Sequence, residues 1–189
     1  MLDRWRKMAQ ILFPNNASFN LKVTPMKRIF YTLIFSVLTF GLSAQTSEEA
    51  AAIMKPITQL FTGMNLGDIA LVHRSFAKTV SMVSIGKDKE GKLRVTHENS
   101  IDGFLKAIAT PKPEPLSEPI WEVKMNVDGN FATVWAQYAL YVGKRFNHCG
   151  VDAFSLVKEA DGQWRIFHLA DTRRKEGCTV PESVSQLFK

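Results

Sequence analysis

The chain has 189 residues, 46% hydrophobic, with 24 Lys/Arg against 18 Asp/Glu, a formal charge of +6, and two cysteines. This length suits one domain with a sizeable core. Residues 1–44 hold six of the basic residues and one acid, leaving 18 basic and 17 acidic residues beyond them, a net of +1, so bulk charge excludes a nucleic-acid partner for that part.

Met26-Lys27-Arg28, an apolar run over Ile29–Leu42 and Ser43-Ala44-Gln45 have the layout of a secretory signal peptide spanning 26–44, with cleavage after Ala44. The run is shorter than the roughly 18 apolar residues of a membrane-spanning helix, and no cysteine follows the cut to carry a lipid. The expectation is a periplasmic or secreted protein with no membrane anchor after cleavage. Residues 1–25 then read as a stretch upstream of the true start or as an extended basic leader, and 45–189 as one domain.

That domain opens on Thr46-Ser47-Glu48-Glu49, a capping-box pattern, followed by Ile53, Ile57, Leu60, Phe61 and Met64 at helical spacing. Pro56 falls inside this helix and predicts a kink or a restart. Gly67 ends it, and Asp68 caps a second helix with Ile69, Val72 and Phe76 on one face. Strands over Thr79–Ile85 and Leu93–Thr96 flank a charged turn of mixed sign. Ser100 caps a short helix with Phe104, Leu105 and Ile108, and Pro111, Pro113, Pro115 and Pro119 form a stiff connector.

The longest patterned stretch is an antiparallel meander: Trp121–Val127, Phe131–Val142, and Val151–Val157 with Trp164–Thr172. Asp128-Gly129 and Asp161-Gly162 mark its tight turns. A two-residue loop at Asp161-Gly162 sets Phe154 opposite Leu169, Leu156 opposite Phe167 and Asp152 opposite Asp171. The same register places Cys149 opposite Arg174, four residues before Cys178. A disulfide between Cys149 and Cys178 suits an oxidising compartment; two buried thiols are the alternative. Beyond Arg174 the chain is polar up to Val184, Leu187 and Phe188.

Both faces of the last strands are apolar, so the sheet is expected to be covered twice, by helices on one side and by a second subunit on the other. The order of elements resembles the nuclear transport factor 2-like superfamily, which includes SnoaL-like cyclases and ketosteroid isomerases. Within it, the nearest likeness is to exported bacterial proteins labelled "putative lumazine-binding". Asn65-Leu66-Gly67-Asp68, Asp128 to Trp135, His148 to Phe154, Asp161 to Ile166 and Asp171-Thr172-Arg173 carry this resemblance. It implies an α+β, cone-shaped fold, with a curved antiparallel sheet and the N-terminal helices packed on its concave face.

Three roles follow: a binder of a small, flat ligand; an isomerase, dehydratase or cyclase; and a homodimeric interaction module. Fold alone does not choose among them. Asp152 and Asp171, opposed on one face with Arg173 one pleat further, could split their pKa values for acid–base work or form an ion-paired rim. The candidate catalytic residues are Asp152, Asp171 and His168. The candidate ligand-binding residues are Trp135, Tyr138, Asp152, His168, Asp171 and Arg173. His168 is read on the face of Ile166 and Trp164, opposite Ser155; Trp135 and Tyr141 share one face of their strand and Tyr138 takes the other. His73, His97 and His148 are at no metal-ligand spacing, so neither a metal site nor a cofactor is expected.

Overall fold

In the computed structural model, residues 48–189 are described. The signal segment, the cut after Ala44 and the Thr46 cap lie outside them. Helix α1 covers residues 48–66 and continues as helix through Pro56, with no restart there. Its Ile53, Ile57 and Leu60 recur at three to four residues and are at most 1% exposed. Burying such a side chain is worth about 1.5–3 kcal/mol, so packing of this stripe holds the helix despite the missing proline donor. Glu49 turns to the sheet, accepting from Trp164 Nε1 at 3.0 Å and Lys158 Nζ at 3.2 Å.

Gly67, at φ +69°, ends α1, and Asp68 caps α2 (Ile69–Ser75) by accepting from the Leu71 amide at 2.9 Å. The two helices meet at Gly63, where an added Cβ would come within 2.7 Å of Val72 Cγ2. Strands β1 (Phe76–Lys87) and β2 (Leu93–Glu98) form a hairpin, and helix α3 (Asp102–Ala109) follows. The Ser100 hydroxyl takes the Asp102 amide at the start of α3. Short β3 (Leu116–Ser117) leads into β4 (Ile120–Asp128), β5 (Phe131–Val142), β6 (Arg145–Lys158) and β7 (Trp164–Thr172). A final turn of helix, α4 (Glu182–Ser185), runs into a 3-10 turn over Gln186–Phe188.

The strands form one seven-stranded sheet in the order β2-β1-β7-β6-β5-β3, with β4 also on β5. It is mixed rather than purely antiparallel, because β1 runs parallel to β7. Parallel neighbours need a long crossover instead of a tight turn, and here the whole of β2–β6 intervenes.

The last hairpin departs from the expected register in an instructive way. Lys158 pairs with Trp164, and Glu159 closes the turn to Gln163, so the loop is longer than Asp161-Gly162. Leu156 therefore faces Ile166, not Phe167. An irregularity between Ser155 and Leu156 then absorbs one residue of β7, and from Ser155–His168 onward the pairs are the expected ones: Phe154 with Leu169 and Asp152 with Asp171. A bulge reverses which face the residues on either side of it present. Trp164 and Ile166 thus point into the core, at 4% and 0% exposure, while His168 sits on the opposite face rather than beside them.

The helix-covered face carries Val134, Phe154, Leu156, Ile166 and Leu169 against Ile53, Ile57, Leu60 and Val72. Phe61 of α1 meets Phe154 edge-on at 6.2 Å. On the other face, Ala139, Tyr141 and Cys149 are covered by the chain's own C-terminal tail through Cys178, Val180 and Phe188. The Cys149–Cys178 disulfide is formed, and the Phe188 ring stacks on Tyr141 at 3.8 Å. This part of the outer face is covered by the tail itself.

Candidate functional site

Moving along the helix-covered face by one pleat from the Met82–Leu169–Phe154–Val134 row, the paired residues become Ser84, Asp171, Asp152 and Ala136. The next pleat brings Gly150 and Tyr138. Gly150 has no substitute there: an added Cβ would overlap the Thr172 carbonyl oxygen at 1.7 Å and crowd Tyr138 Cε1 at 2.8 Å. Its absence lets the Tyr138 ring lie across β6, donate its hydroxyl to Thr172 O at 2.9 Å, and approach Asp171 Oδ2 at 3.4 Å.

Donors converge on Asp171. Ser84 Oγ donates to Oδ1 at 2.5 Å, Arg173 Nε to Oδ2 at 2.6 Å, and Arg173 Nη2 reaches both Oδ1 at 3.3 Å and Ser84 Oγ at 3.0 Å. Asp152 has the opposite lot. It is 2% exposed, and its Oδ2 has no hydrogen-bond partner among the described residues. Beside it lies Glu118, half-buried on the connector between β3 and β4. Burial, and then the charges of Glu118 and Asp171, push the Asp152 carboxyl well above the usual range. Burial and the Asp171 charge raise Glu118 to about 7. Two ionised carboxylates have no donor between them, so the Glu118–Asp152 contact is a hydrogen bond only while one of them holds a proton.

His148 meets the Tyr138 ring edge-on at 5.6 Å. Burial, and then the Arg173 charge, hold its pKa below the ordinary value.

Of the residues expected at a site, Asp152, Asp171, Arg173 and Tyr138 come together. Trp135 and His168 do not join them. Trp135 lies on the outer face, 36% exposed, with Lys124 Nζ 5.1 Å from its ring centre. His168 is also on that face, bonded through Nδ1 to Ser81 Oγ at 2.6 Å. Tyr141, too, is on the outer face, under Phe188. Glu118 is the residue that sequence reasoning missed. Its only sequence signal is a lone acid inside the proline-rich connector, between Ser117 and Pro119.

Two depressions, of about 490 and 310 Å³, open elsewhere, around His73, Phe76 and Arg165, and neither is lined by the carboxylate group. Both are half-open and lined by mixed charges, with Arg165 already held by Glu159 and Asp161. Unlike Asp152, none of their side chains is a buried polar group lacking a partner. Among the described residues, no cluster of three or more His, Cys, Asp or Glu could hold a metal ion.

A curved, unclosed mixed sheet with helices on one face defines the nuclear transport factor 2-like class of α+β proteins, and solved structures of that class share this fold. Residues 48–168 match the family described as "Putative lumazine-binding", and the chain belongs to that family. Similar solved structures include a nuclear transport factor 2-like superfamily protein from Salmonella enterica serovar Typhimurium (16% identity over 72% of this chain and 98% of that one, TM-score 0.54). A putative scytalone dehydratase from Novosphingobium aromaticivorans is similar at 14% identity over 74% and 93%, TM-score 0.56. A putative dehydratase from Streptomyces avermitilis is similar at 13% over 68% and 98%, TM-score 0.53. At these identities the likeness is one of fold. No curated protein matches the chain.

Proposed function

We propose that this protein is an exported small-molecule binder whose ligand sits at the rim formed by Glu118 and Arg173, above Asp152 and Asp171. The observation that carries this reading is Asp152: a carboxylate 2% exposed with one oxygen unpartnered. Buried polar atoms are nearly always hydrogen-bonded, and a ligand donor is the partner that membership in a binding family supplies. The family description suggests a flat fused heterocycle. Export is supported by the leader pattern over 26–44 and by the disulfide.

Native mass spectrometry of the protein purified from its export compartment tests the reading. The expected result is a co-purifying small mass that disappears in Asp152→Ala. A protein that is empty under every purification condition counts against it.

A second reading is an isomerase or dehydratase in which Glu118 and Asp152 exchange a proton with substrate. The raised Glu118, near 7, favours it. Turnover of a carbonyl substrate that is lost in Glu118→Gln without loss of binding would establish this role.

We also propose a homodimer through the outer face, where Phe131 is 45% exposed beside Phe167, and Trp135 lies on the same side. A monomer mass by light scattering at micromolar concentration removes that proposal.

A further inference from the structure

We propose that the ligand is a planar nitrogen cation, an amidinium or protonated amino-heterocycle, whose adjacent N–H groups are taken by Glu118 and Asp152. This rests on the binding reading above and names its ligand class. The site has acceptors in excess of the donors that reach them. Ser84 Oγ, Arg173 Nε and Nη2, and the Tyr138 hydroxyl are given to Asp171, Ser84 or the Thr172 carbonyl, and none of them reaches Asp152 Oδ2. Arg173 is balanced by Asp171 in a salt bridge. Among the described residues no salt bridge reaches Glu118 or Asp152: Arg173, whose charge acts on both, is paired with Asp171, and the neighbour of Asp152 on β5 is Ala136, which offers neither charge nor donor.

An anionic ligand would meet like charge here. A neutral acceptor would leave Asp152 Oδ2 as it is. A cation with two parallel N–H groups satisfies the orphaned oxygen and restores neutrality at once, and a planar fork matches carboxylate geometry better than a point-like ammonium does.

In the absence of such a ligand, the pair relieves its repulsion by keeping a proton, in keeping with Glu118 titrating near 7. A cation displaces that proton, so binding should strengthen as pH rises through 7. The other titratable groups facing the pair are Asp171 from β7, Arg173 just beyond the end of that strand, and Tyr138 from β5, with His148 beyond Tyr138. Tyr138 is driven upward by burial, away from neutral pH, and His148 is driven below its ordinary value.

The experiment is calorimetry of the full chain with three isosteric probes, benzamidine, benzamide and benzoate, at pH 6 and pH 8 in buffers of different ionisation enthalpy. Benzamidine is expected to bind about tenfold tighter at pH 8, the linkage for one group titrating near 7, with proton release. Benzoate is expected not to bind. Glu118→Gln, near-isosteric and on the connector between β3 and β4 rather than in the hydrophobic core, should weaken benzamidine by at least about tenfold and abolish the proton release. Benzoate or benzamide binding as tightly, in a Glu118-dependent manner, would overturn the cation assignment and leave the binding reading standing. Benzamidine binding that is indifferent to Glu118→Gln, or no binding by any probe, would overturn the assignment as well. Native mass spectrometry of the untreated protein then decides the broader reading independently.

Discussion

Two neighbouring rows of the same sheet face, roughly 7 Å apart along the strands, differ in almost everything except depth. In one, Met82, Leu169, Phe154 and Val134 lie side by side under α1, with Phe154 1% exposed. In the other, the same four strands present Ser84, Asp171, Asp152 and Ala136, with Asp152 just as buried. Register and burial are shared, so neither explains the change. The first row is satisfied by dispersion and by the edge of Phe61. The second is satisfied only on the β7 side, where Ser84 and Arg173 supply donors, and stays unsatisfied at Asp152. A row buried to that depth and left incomplete reads as a place made for something else.

Substitutions sharpen or break this contrast. The largest effect belongs to the apolar row: Phe154→Ala should lose about 3–5 kcal/mol of unfolding free energy, measured by urea titration. A much smaller loss would mean that the row relaxes around the gap and is less closely packed than its neighbour is polar. Next comes the clasp on the opposite face. Cys178→Ala opens a loop with a sequence separation of 29 and should cost about 2–4 kcal/mol, read as a fall in Tm without change in the carboxylate titration. Coupling between the two would break the separation of faces.

In the polar row the sign reverses. Asp152→Asn at pH 8 should stabilise the protein by on the order of 1 kcal/mol, because the amide can donate to Glu118 without the pair having to retain a proton. A loss of similar size would make the row an ion-paired scaffold instead.

The last effect is a slope rather than a single loss. Glu118 in the folded protein titrates near 7 against an ordinary value of 4.5, so the native state holds the proton longer than the unfolded chain. Its stabilising contribution is complete below about 4.5 and declines as pH rises to about 7. Denaturation midpoints of Glu118→Gln across that window should decline less than those of the parent. Equal slopes would place the proton elsewhere.

Much of this arrangement is written in the chain, for reasons that can be traced. Asp68, Gly67 and the Ile53–Ile57–Leu60 stripe are local signals, and they produce the helices they suggest. The opposition of Asp152 and Asp171 follows from counting back from the Asp161-Gly162 turn. That count holds because two departures cancel: a longer loop shifts the register by one, and the irregularity at β7 shifts it back. Between them, Leu156 takes Ile166 as partner, and Trp164 and Ile166 face the core, opposite His168. The parallel β1–β7 pair has no turn to announce it.

Glu118 was illegible for a different reason. It is 34 positions before Asp152, on a connector whose prolines say only that it is extended. Its meaning comes from tertiary contact alone. Trp135 looked like a pocket residue because an aromatic on a strand signals burial without saying on which side.

The bridge across the outer face also bears on how the chain reaches this state. Cys149 and Cys178 are the only two cysteines in the sequence, so within one molecule there is a single way to oxidise and no scrambled isomer to correct. They are brought together by a backbone pairing of Cys149 with Arg174 at the end of the β6–β7 hairpin, through bonds of 2.9 Å in each direction. The sheet therefore holds the two cysteines within bonding reach of each other. The one disulfide other than this that the cysteines can form is to another chain, so covalent dimers are the signature of oxidation that misses the intramolecular partner.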